Sequence, residues 1–374
     1  MFWTIRTYLF HIITLVVKLL PIKTLYHYDV VIIKIEALGD YVIWHDALSA
    51  YSKMFAGKRI LLVCPNLNAP LAQLEELFTD IYVAKTKKFN TDLFYLLKVA
   101  CYLRSVSAEI AYYPVWARHS IGDLLMSLVK AHQKIGYEIN GKKILLTSFY
   151  DRQYSTLVRY KESVSEIGAI EYFTQQTVVS DYRYGLSPLI LHTGKQIISS
   201  SDTPYIVLAF SSSIPQKIWE MEKFAMVIDS IPASYHIVLT GNGEDDIRRA
   251  DQIMALIKDR NRITNLVNKT SVVDLVSLIS KACLVIGNDS AAVHIAAATH
   301  VKSVCVLSGT HIHRFLPYPN NLPLKGYAPW AVYHEMDCFG CNYHCLHQDQ
   351  IPFECIKKIS VEEVIRVVMK LLTV

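Results

Sequence analysis

Short runs of apolar residues alternate along the first half of the chain with longer segments in which apolar residues recur at helical spacing. The apolar runs predict strands at Val30–Ile35, Ile60–Cys64, Ile81–Ala84 and Glu109–Tyr113. The segments between and after them predict helices at about 40–55, 70–78, 91–106, 119–132 and 154–170. Continuous apolar strands separated by helices are typical of a parallel sheet that helices cover on both faces.

A stretch around Tyr184–Pro204, rich in Gly, Pro and Ser, interrupts this alternation and is the best candidate for a linker. The alternation then restarts, with strands predicted at Tyr205–Phe210, His236–Thr240, Leu284–Gly287 and Ser303–Leu307. Helices are predicted at 219–230, 244–258, 271–280, 290–299 and 360–372. We therefore predict an α/β fold of two doubly wound, Rossmann-like domains, with a ligand site in a central cleft at the carboxyl ends of their strands.

The expected domain boundaries follow from these patterns. A chain of 374 residues is long enough for two domains of about 150 residues each. The expected segments are an N-terminal helix in 1–28, a first domain in 29–185, a linker in 186–204, a second domain in 205–358 and a C-terminal helix in 359–374.

The first 28 residues contain no Asp or Glu and are mostly apolar. Charges at Arg6 and Lys18 interrupt the apolar stretch, and no small-residue cleavage site follows it, so it is not typical of a secretory signal. In a helix, Thr7, His11, Thr14 and Lys18 would form one narrow polar stripe, and apolar residues would cover the remaining surface. This pattern predicts a helix that lies in the interface of an anionic membrane. The alternative is a helix docked on the protein's own core.

Composition and charge narrow the function classes. Hydrophobic residues make up 52% of the chain and charged residues 19%, which suits a globular protein with sizeable cores. No uncharged apolar stretch reaches the roughly 18–20 residues of a membrane-spanning helix. Residues 1–200 carry 22 Lys and Arg against 16 Asp and Glu. This excess favours an acidic partner such as phosphates or an anionic membrane, or it is a chance imbalance of a solvated surface. No nucleic-acid-binding pattern is present, so we expect no nucleic acid partner.

Four of the eight cysteines crowd near the C-terminus, at Cys338, Cys341, Cys345 and Cys355. Without a secretory signal we expect a reducing cytoplasmic compartment, which disfavours a disulfide framework. Four thiolates at such short spacings could hold structural Zn²⁺ or an iron–sulfur cluster. The alternative is a set of reduced thiols that pack a loop.

The first candidate for chemistry is the turn after the predicted strand at 30–35, which reads Glu36-Ala37-Leu38-Gly39-Asp40. This order places the Asp40 carboxylate at the carboxyl edge of the first sheet, facing the expected cleft. Asp is also a preferred helix N-cap, and from spacing alone the cap is the more common role.

The second candidate follows the predicted strand at 284–287 and reads Gly287-Asn288-Asp289-Ser290-Ala291, before an alanine-rich helix that contains His294. Backbone N–H groups at the start of a helix, unobstructed by large side chains, can bind an anion. The small residues would equally let the helix pack closely on the sheet. His294 is then either a phosphate contact or a buried histidine of the core.

Two further turns join a strand to a helix in the second half of the chain. One carries Ser212 and Lys217, and this lysine could neutralise a diphosphate or could be an ordinary surface lysine. The other, Thr240–Glu244, ends with an acid. Acids in this position bind ribose hydroxyls in nucleotide folds, and acids in a first turn are also favoured by the helix dipole.

Together and in this order, the four turns resemble glycosyltransferase family 9, the lipopolysaccharide heptosyltransferase-like enzymes of GT-B architecture. The resemblance covers most of the chain and is densest at 205–310. Gly287–Ala298 is similar to the family's strand-G-x-D-[ST]-G-x-x-H-x-A-A-A signature, and Ala37–Asp40 to its L-G-D turn. Lys217–Trp219 resembles its K-x-W element and Gly241–Glu244 its G-x-x-E element.

The resemblance implies an inverting, metal-independent transfer of a heptose-like or other sugar from a nucleotide-diphosphate sugar. The acceptor would be a lipid-linked or lipopolysaccharide-type saccharide, and no cofactor is expected for catalysis. Asp40 would be the catalytic base, Lys217 would stabilise the departing diphosphate, and Glu244 would hold the ribose. The implied donor site comprises Ser212, Lys217, Glu244, Asp289, Ser290, Ala291 and His294. We expect a cytoplasmic protein that is peripheral on the inner face of the cytoplasmic membrane.

One position departs from the family signature, because Ala291 stands where the family usually has Gly. A backbone with φ > 0, or a very close phosphate, would be strained by this alanine. This change is the only sequence support for one alternative, a catalytically silent nucleotide-sugar-binding or membrane-scaffold protein. A second alternative, which the Asp40 turn does not exclude, is a different GT-B enzyme such as a nucleotide-sugar epimerase.

Overall fold

A computed structural model describes residues 2–139, 151–160, 165–185, 203–322, 324, 326–347 and 351–373. The chain divides into two compact units, Met1–Tyr184 and Gly185–Val374. Most of the expected linker, residues 186–202, lies outside the described residues.

The N-terminal unit contains a six-stranded parallel sheet in the order β3-β2-β1-β4-β5-β6. Its strands are β1 Tyr26–Ile33, β2 Ile60–Pro65, β3 Asp80–Ala84, β4 Val106–Tyr113, β5 Lys130–Tyr137 and β6 Thr156–Val158. Its helices are α1 Phe2–Leu19, α2 Leu38–His45, α3 Leu48–Met54, α4 Ala69–Ala72, α5 Leu93–Arg104, α6 Ser120–Leu128 and α7 Glu166–Thr177. A 3₁₀ turn covers Thr86–Asn90.

The C-terminal unit repeats this plan with the order β12-β11-β10-β7-β8-β9, again parallel throughout. Its strands are β7 Tyr205–Ala209, β8 His236–Leu239, β9 Ile263–Asn265, β10 Leu284–Asn288, β11 Ser303–Val306 and β12 Trp330–Val332. Its helices are α8 Met221–Ser230, α9 Glu244–Leu256, α10 Val272–Ser280, α11 Ala291–Ala298, α12 Glu354–Lys357 and α13 Val361–Thr373. Further 3₁₀ turns cover Pro215–Lys217, Arg260–Arg262 and Gly309–His311.

Both sheets have the strand order of dinucleotide-binding folds, in which the chain first winds outward in one direction and then in the other. The direction changes between β1 and β4 in the N-terminal unit and between β7 and β10 in the C-terminal unit. Ligands of open parallel sheets bind at the carboxyl ends of the strands beside such a switch point. Each unit therefore has one edge where a site is expected.

Four expected helices differ from the structure, and one of them, predicted at 70–78, covers only Ala69–Ala72. The helix predicted at 154–170 is wrong, because Thr156–Val158 pairs with β5 as an edge strand and the helix occupies Glu166–Thr177. The helix predicted at 119–132 ends at Leu128, and the chain enters β5 two residues later. The helix predicted at 40–55 is divided into α2 and α3.

Helix α1 packs against α5 and α6, but with an unexpected face. Phe10 and Val17 enter the core of the N-terminal unit, and His11 and Thr14 of the polar stripe are buried beside them. Thr14 satisfies its hydroxyl by donating to the carbonyl of Phe10 at 2.9 Å. Lys18 donates to the Gln153 side-chain oxygen at 3.1 Å. Within the described part of the polar stripe, His11, Thr14 and Lys18 thus face the protein rather than solvent.

The opposite face of α1 is apolar and solvent-exposed, reaching 86% exposure at Leu19. The exposed side chains, which we call the apolar arc, are Tyr8, Leu9, Ile12, Leu15, Val16, Leu19 and Leu20. Within the described part of the chain, no helix has both the length and the apolar character needed to cross a membrane.

Candidate functional sites

The switch point of the C-terminal sheet holds a buried ion pair. Lys217 follows β7, Asp289 follows β10, and the Lys217 Nζ lies 2.7 Å from the Asp289 Oδ2. Both side chains are less than 10% exposed. Burial favours a lower pKa for Lys217, but Asp289 and the Tyr343 hydroxyl outweigh it and raise the pKa. The site therefore holds a charged ammonium group in a largely buried position.

The loops that carry this pair are tied together by Asn288, which is fully buried at the end of β10. Its side-chain oxygen accepts the backbone N–H of Trp219 at 3.1 Å, and its amide donates to the carbonyl of Phe210 at 2.5 Å. These bonds join the loop after β7 to the loop after β10. Gly287 allows the two strands this approach, since a Cβ there would lie 2.5 Å from the carbonyl oxygen of Ala209.

Helix α11 begins directly beside the ion pair. Ser290 is its extended N-cap and Ala291 its first helical residue. Since Ala291 has ordinary helical geometry, the backbone strain considered for this substitution does not arise. The first-turn N–H groups of α11 carry the positive end of the helix dipole, which favours an anion.

His294 is buried inside α11, and its Nδ1 is hydrogen-bonded to the Tyr318 hydroxyl at 2.7 Å. The two rings are stacked with 5.8 Å between their centroids. Burial lowers the pKa of His294 to about 4, so the ring is neutral near pH 7. This environment resembles that of a core histidine, and a donor-binding role for His294 stays a prediction.

The acid that is buried after β8 is Asp246, and not Glu244, which the sequence predicts as the ribose contact. Glu244 is the first residue of α9 and is solvent-exposed. Asp246 is buried instead, where it accepts the Ser211 hydroxyl, the Asn242 N–H at 2.8 Å and the Arg249 guanidinium at 2.8 Å. Asp246 thus orders the loop, and Glu244 is left accessible to a ligand.

Ser212 lies in the half-exposed loop after β7, where its hydroxyl accepts the N–H of Ile214 at 3.3 Å.

The cysteine-rich loop adds residues to this site that the sequence did not indicate. The Tyr343 ring lies 5.6 Å from the Lys217 Nζ, and the Asn342 side-chain oxygen is 2.6 Å from the His311 Nε2. These contacts bring the 342–343 segment to the edge that carries Lys217.

The four clustered cysteines are all reduced. Burial raises the pKa of Cys338, Cys341 and Cys355, and neighbouring thiols of the group raise it further. Among the residues that the structure describes, no three or more His, Cys, Asp or Glu side chains converge as a metal site. The described thiols are thus neighbours without forming such a group, and metal binding by them stays a prediction.

The switch point of the N-terminal sheet carries a second polar cluster around Glu36. Its carboxylate lies 3.3 Å from the Lys34 Nζ and 3.4 Å from the His119 Nε2, and it accepts the Tyr113 hydroxyl at 3.4 Å. Burial would raise the pKa of Glu36, but Lys34 and His119 outweigh it and lower the pKa. Glu36 is therefore held as a carboxylate.

Asp40 lies four residues after Glu36, half-buried in the first turn of α2. The N-cap of this helix is Ala37, so the interpretation of Asp40 as the N-cap is wrong. A carboxylate in a first turn is stabilised by the helix dipole. Asp40 is placed at the carboxyl edge of the sheet, as its position after β1 predicts.

The profile of glycosyltransferase family 9 (heptosyltransferase) matches residues 124–331, more than half of the chain. The chain belongs to this family. The lipooligosaccharide heptosyltransferase 2 of Campylobacter jejuni is 29% identical to this family 9 protein over 192 residues, which are 50% of this chain and 55% of that protein. The match thus spans about half the length of this curated relative.

Two solved structures extend the likeness to nearly the whole chain. Escherichia coli heptosyltransferase WaaC with ADP-2-deoxy-2-fluoro heptose has a TM-score of 0.66 at 14% identity, covering 91% of this chain and 99% of that one. The dodecameric, iron-containing heptosyltransferase TibC has a TM-score of 0.53 at 16% identity, covering 93% and 77%. These similarities and the two parallel sheets confirm the predicted α/β, GT-B-like fold class.

Proposed function

We propose that this family 9 protein is an inverting, metal-independent glycosyltransferase. It would move a heptose-like sugar from a nucleotide-diphosphate sugar to a lipid-linked or lipopolysaccharide-type saccharide. The observation that carries the proposal is the buried Lys217–Asp289 pair beside the N-terminus of α11. A buried ammonium next to free helix N–H groups matches the charge of a diphosphate.

On the donor side, the diphosphate would contact the first-turn N–H groups of α11 and the Lys217 ammonium. As the bond from the anomeric carbon to the diphosphate oxygen breaks, its electron pair passes to the diphosphate. Lys217 and the helix N-terminus stabilise this growing charge, and such preorganised electrostatics are usually the largest contribution to catalysis. Glu244 would accept hydrogen bonds from the ribose, and an ADP-heptose-type donor is the first candidate.

On the acceptor side, Asp40 would accept the proton of the attacking hydroxyl while the new C–O bond forms at the anomeric carbon. Attack opposite the leaving diphosphate inverts the configuration of that carbon. Lys34 and His119 would hold Glu36 ionised beside this edge.

The proposed metal independence is supported by this distribution of charge, because Lys217 and helix N–H groups would take the place of a cation at the diphosphate. TibC contains iron, but the described cysteines of this chain do not converge as a metal site. The silent-scaffold alternative rested on the change at Ala291, and the part of that argument based on a positive φ does not apply, since Ala291 is the first residue of a regular helix.

We test the donor proposal by thermal unfolding of the full chain with a panel of nucleotide-diphosphate sugars. A true donor at 100 times its Kd is expected to stabilise the folded protein by about 2.7 kcal/mol, since it binds only that state. The same donor should be consumed when a saccharide acceptor is added. If nucleoside monophosphates stabilise the protein as well as any diphosphate sugar, the diphosphate assignment is wrong.

We further propose that the protein is peripheral on the inner face of the cytoplasmic membrane, attached through the apolar arc of α1. Seven large apolar or aromatic side chains on one exposed face are an energetic liability in water. Their burial in the acyl boundary of a membrane is favourable at about 25 cal/mol per Å². Truncating α1 would also remove Phe10 and Val17 from the core, so point substitutions are the cleaner test.

Replacing Ile12, Leu15 and Leu19 together by serine is expected to release the protein from phosphatidylcholine vesicles in a flotation assay. The unfolding temperature should remain near wild type, because all three side chains are exposed. The control replaces by serine Met54 and Leu67, which are exposed apolar residues of α3 and of the turn before α4. Attachment that survives in the α1 variant, or is lost equally in the control, would exclude the arc.

A further inference from the structure

A cavity of about 560 Å³ lies at the amino-terminal edge of the N-terminal sheet, opposite the edge that carries Asp40. It is lined by the starts of β4 and β5 and by the ends of α1, α5 and α6. Four cationic side chains converge on it: Lys18, Arg104, Lys130 and Lys134. We call these residues the basic pocket.

The hydrogen-bond partners of these cations in the described part of the chain are neutral. Lys18 donates to the Gln153 oxygen at 3.1 Å, and Arg104 reaches the Lys18 carbonyl at 3.5 Å. Lys130 donates to the Ile22 carbonyl at 2.8 Å, and Lys134 donates to the Ser127 carbonyl at 3.2 Å. Among the described residues, no carboxylate forms an ion pair with any of the four.

Carbonyl groups at the ends of three helices offset part of this positive charge, as helix C-termini do. The compensation is incomplete. Burial, with repulsion from Arg104, lowers the pKa of Lys18 to about 8. Burial, with repulsion from Lys18 and Arg104, lowers the pKa of Lys134 to about 7. The buried Arg104 Nε has no hydrogen-bond acceptor. The pocket is therefore short of negative charge and of acceptor oxygens.

We propose that the basic pocket binds the phosphate group of an anionic phospholipid headgroup. A phosphate supplies both the negative charge and the acceptor oxygens that the pocket lacks. A planar guanidinium flanked by ammonium groups is suited to bind the phosphate oxygens. The lipid source is indicated by Lys18, which belongs to α1 and directly precedes the exposed Leu19 and Leu20 of the apolar arc. Headgroup and acyl contacts would thus be adjacent, as in other basic lipid sites.

This inference rests on the membrane attachment proposed above and not on sugar transfer. It assigns the pocket a role separate from the acceptor and donor sites, since all four cations lie away from the strands' carboxyl ends. It also gives α1 two contacts with the membrane: an apolar face that anchors the protein, and a cationic end that selects the lipid.

The first arm of the test measures phosphate binding without a membrane. Thermal unfolding of the full chain is compared in inorganic phosphate and in chloride at equal ionic strength. The variants are Arg104→Gln/Lys134→Gln and a control of equal charge loss, Lys53→Gln/Lys258→Gln, at two exposed lysines outside the pocket. Phosphate should raise the Tm of wild type and control about 2–4 °C more than that of the pocket variant.

The Tm of the pocket variant in chloride is a separate check that the variant folds. Because the substitutions relieve repulsion, its Tm in chloride is expected at or above that of wild type, and Lys134→Gln alone serves as a milder version. Equal phosphate responses in all three proteins would overturn the pocket as an anion site. Any response from the donor site is common to the three and cancels in this comparison.

The second arm identifies the source of the phosphate by flotation with phosphatidylcholine vesicles, with and without phosphatidylglycerol. Wild type and control should prefer the anionic vesicles about tenfold or more, and the pocket variant should bind both kinds equally. A phosphate response without this change of preference would overturn the lipid assignment in favour of a free phosphate ligand. If wild type binds no vesicle, the membrane proposal and the lipid assignment both fail, while sugar transfer is unaffected.

Discussion

Replacing Asp40 by asparagine is expected to lower sugar transfer by about 10²–10⁴-fold, the usual contribution of a positioned general base. Asparagine has nearly the same shape but cannot accept the proton of the acceptor hydroxyl. Donor affinity should be unchanged, since the proposed diphosphate contacts all belong to the C-terminal unit. The measurement is single-turnover transfer at saturating donor, together with the Kd of the nucleoside diphosphate.

The matched control is Asp29→Asn, the same chemical change on β1 but towards the opposite end of the strand. Asp29 pairs with Lys58 at the surface, where an ion pair is worth about 1 kcal/mol or less. Turnover of the control should remain within a few-fold of wild type. Near wild-type turnover of Asp40→Asn would leave this residue with a structural role only.

The positions of the sites could be predicted from the sequence because they depend on local order. A buried strand followed by a turn and a helix places the turn at the carboxyl edge of a parallel sheet wherever the strand lies. This rule located Asp40, Lys217 and Asp289 at the correct edges. The pairing of Lys217 with Asp289 could not be predicted, because 72 residues separate them and only the strand order brings them together.

Four strands escaped prediction, for two physical reasons. β6, β9 and β12 have three residues each, too few to show a period. β5 reads KAHQKIGY, and its first half is polar because those residues line the basic pocket instead of a core. A strand with this function has no apolar signature to detect.

Helix α1 shows why an amphipathic pattern does not by itself decide which face docks. The pattern predicts a helix at a membrane interface or, as the alternative, one docked on the protein's own core. In the structure Phe10 and Val17 flank the polar stripe and bring that face into the core. Thr14 and Lys18 are tolerated there because they have partners, the Phe10 carbonyl and the Gln153 side-chain oxygen. The apolar arc is then left outside, which is opposite to the arrangement in an ordinary surface helix.

Replacing Lys217 by glutamine is expected to lower turnover by about 10²–10³-fold and to weaken binding of the free nucleoside diphosphate, because the cation that faces the leaving group is lost. The single substitution also leaves Asp289 buried without its partner, which costs about 3–5 kcal/mol of folding free energy. Activity alone would therefore not separate a ligand role from a structural one.

The double variant Lys217→Gln/Asp289→Asn separates the two roles, because a neutral hydrogen-bonded pair replaces the ion pair. Its unfolding free energy should return towards wild type while diphosphate affinity and turnover stay low. If both stability and affinity recover in the double variant, Lys217 serves only to neutralise Asp289, and the proposed diphosphate site is wrong.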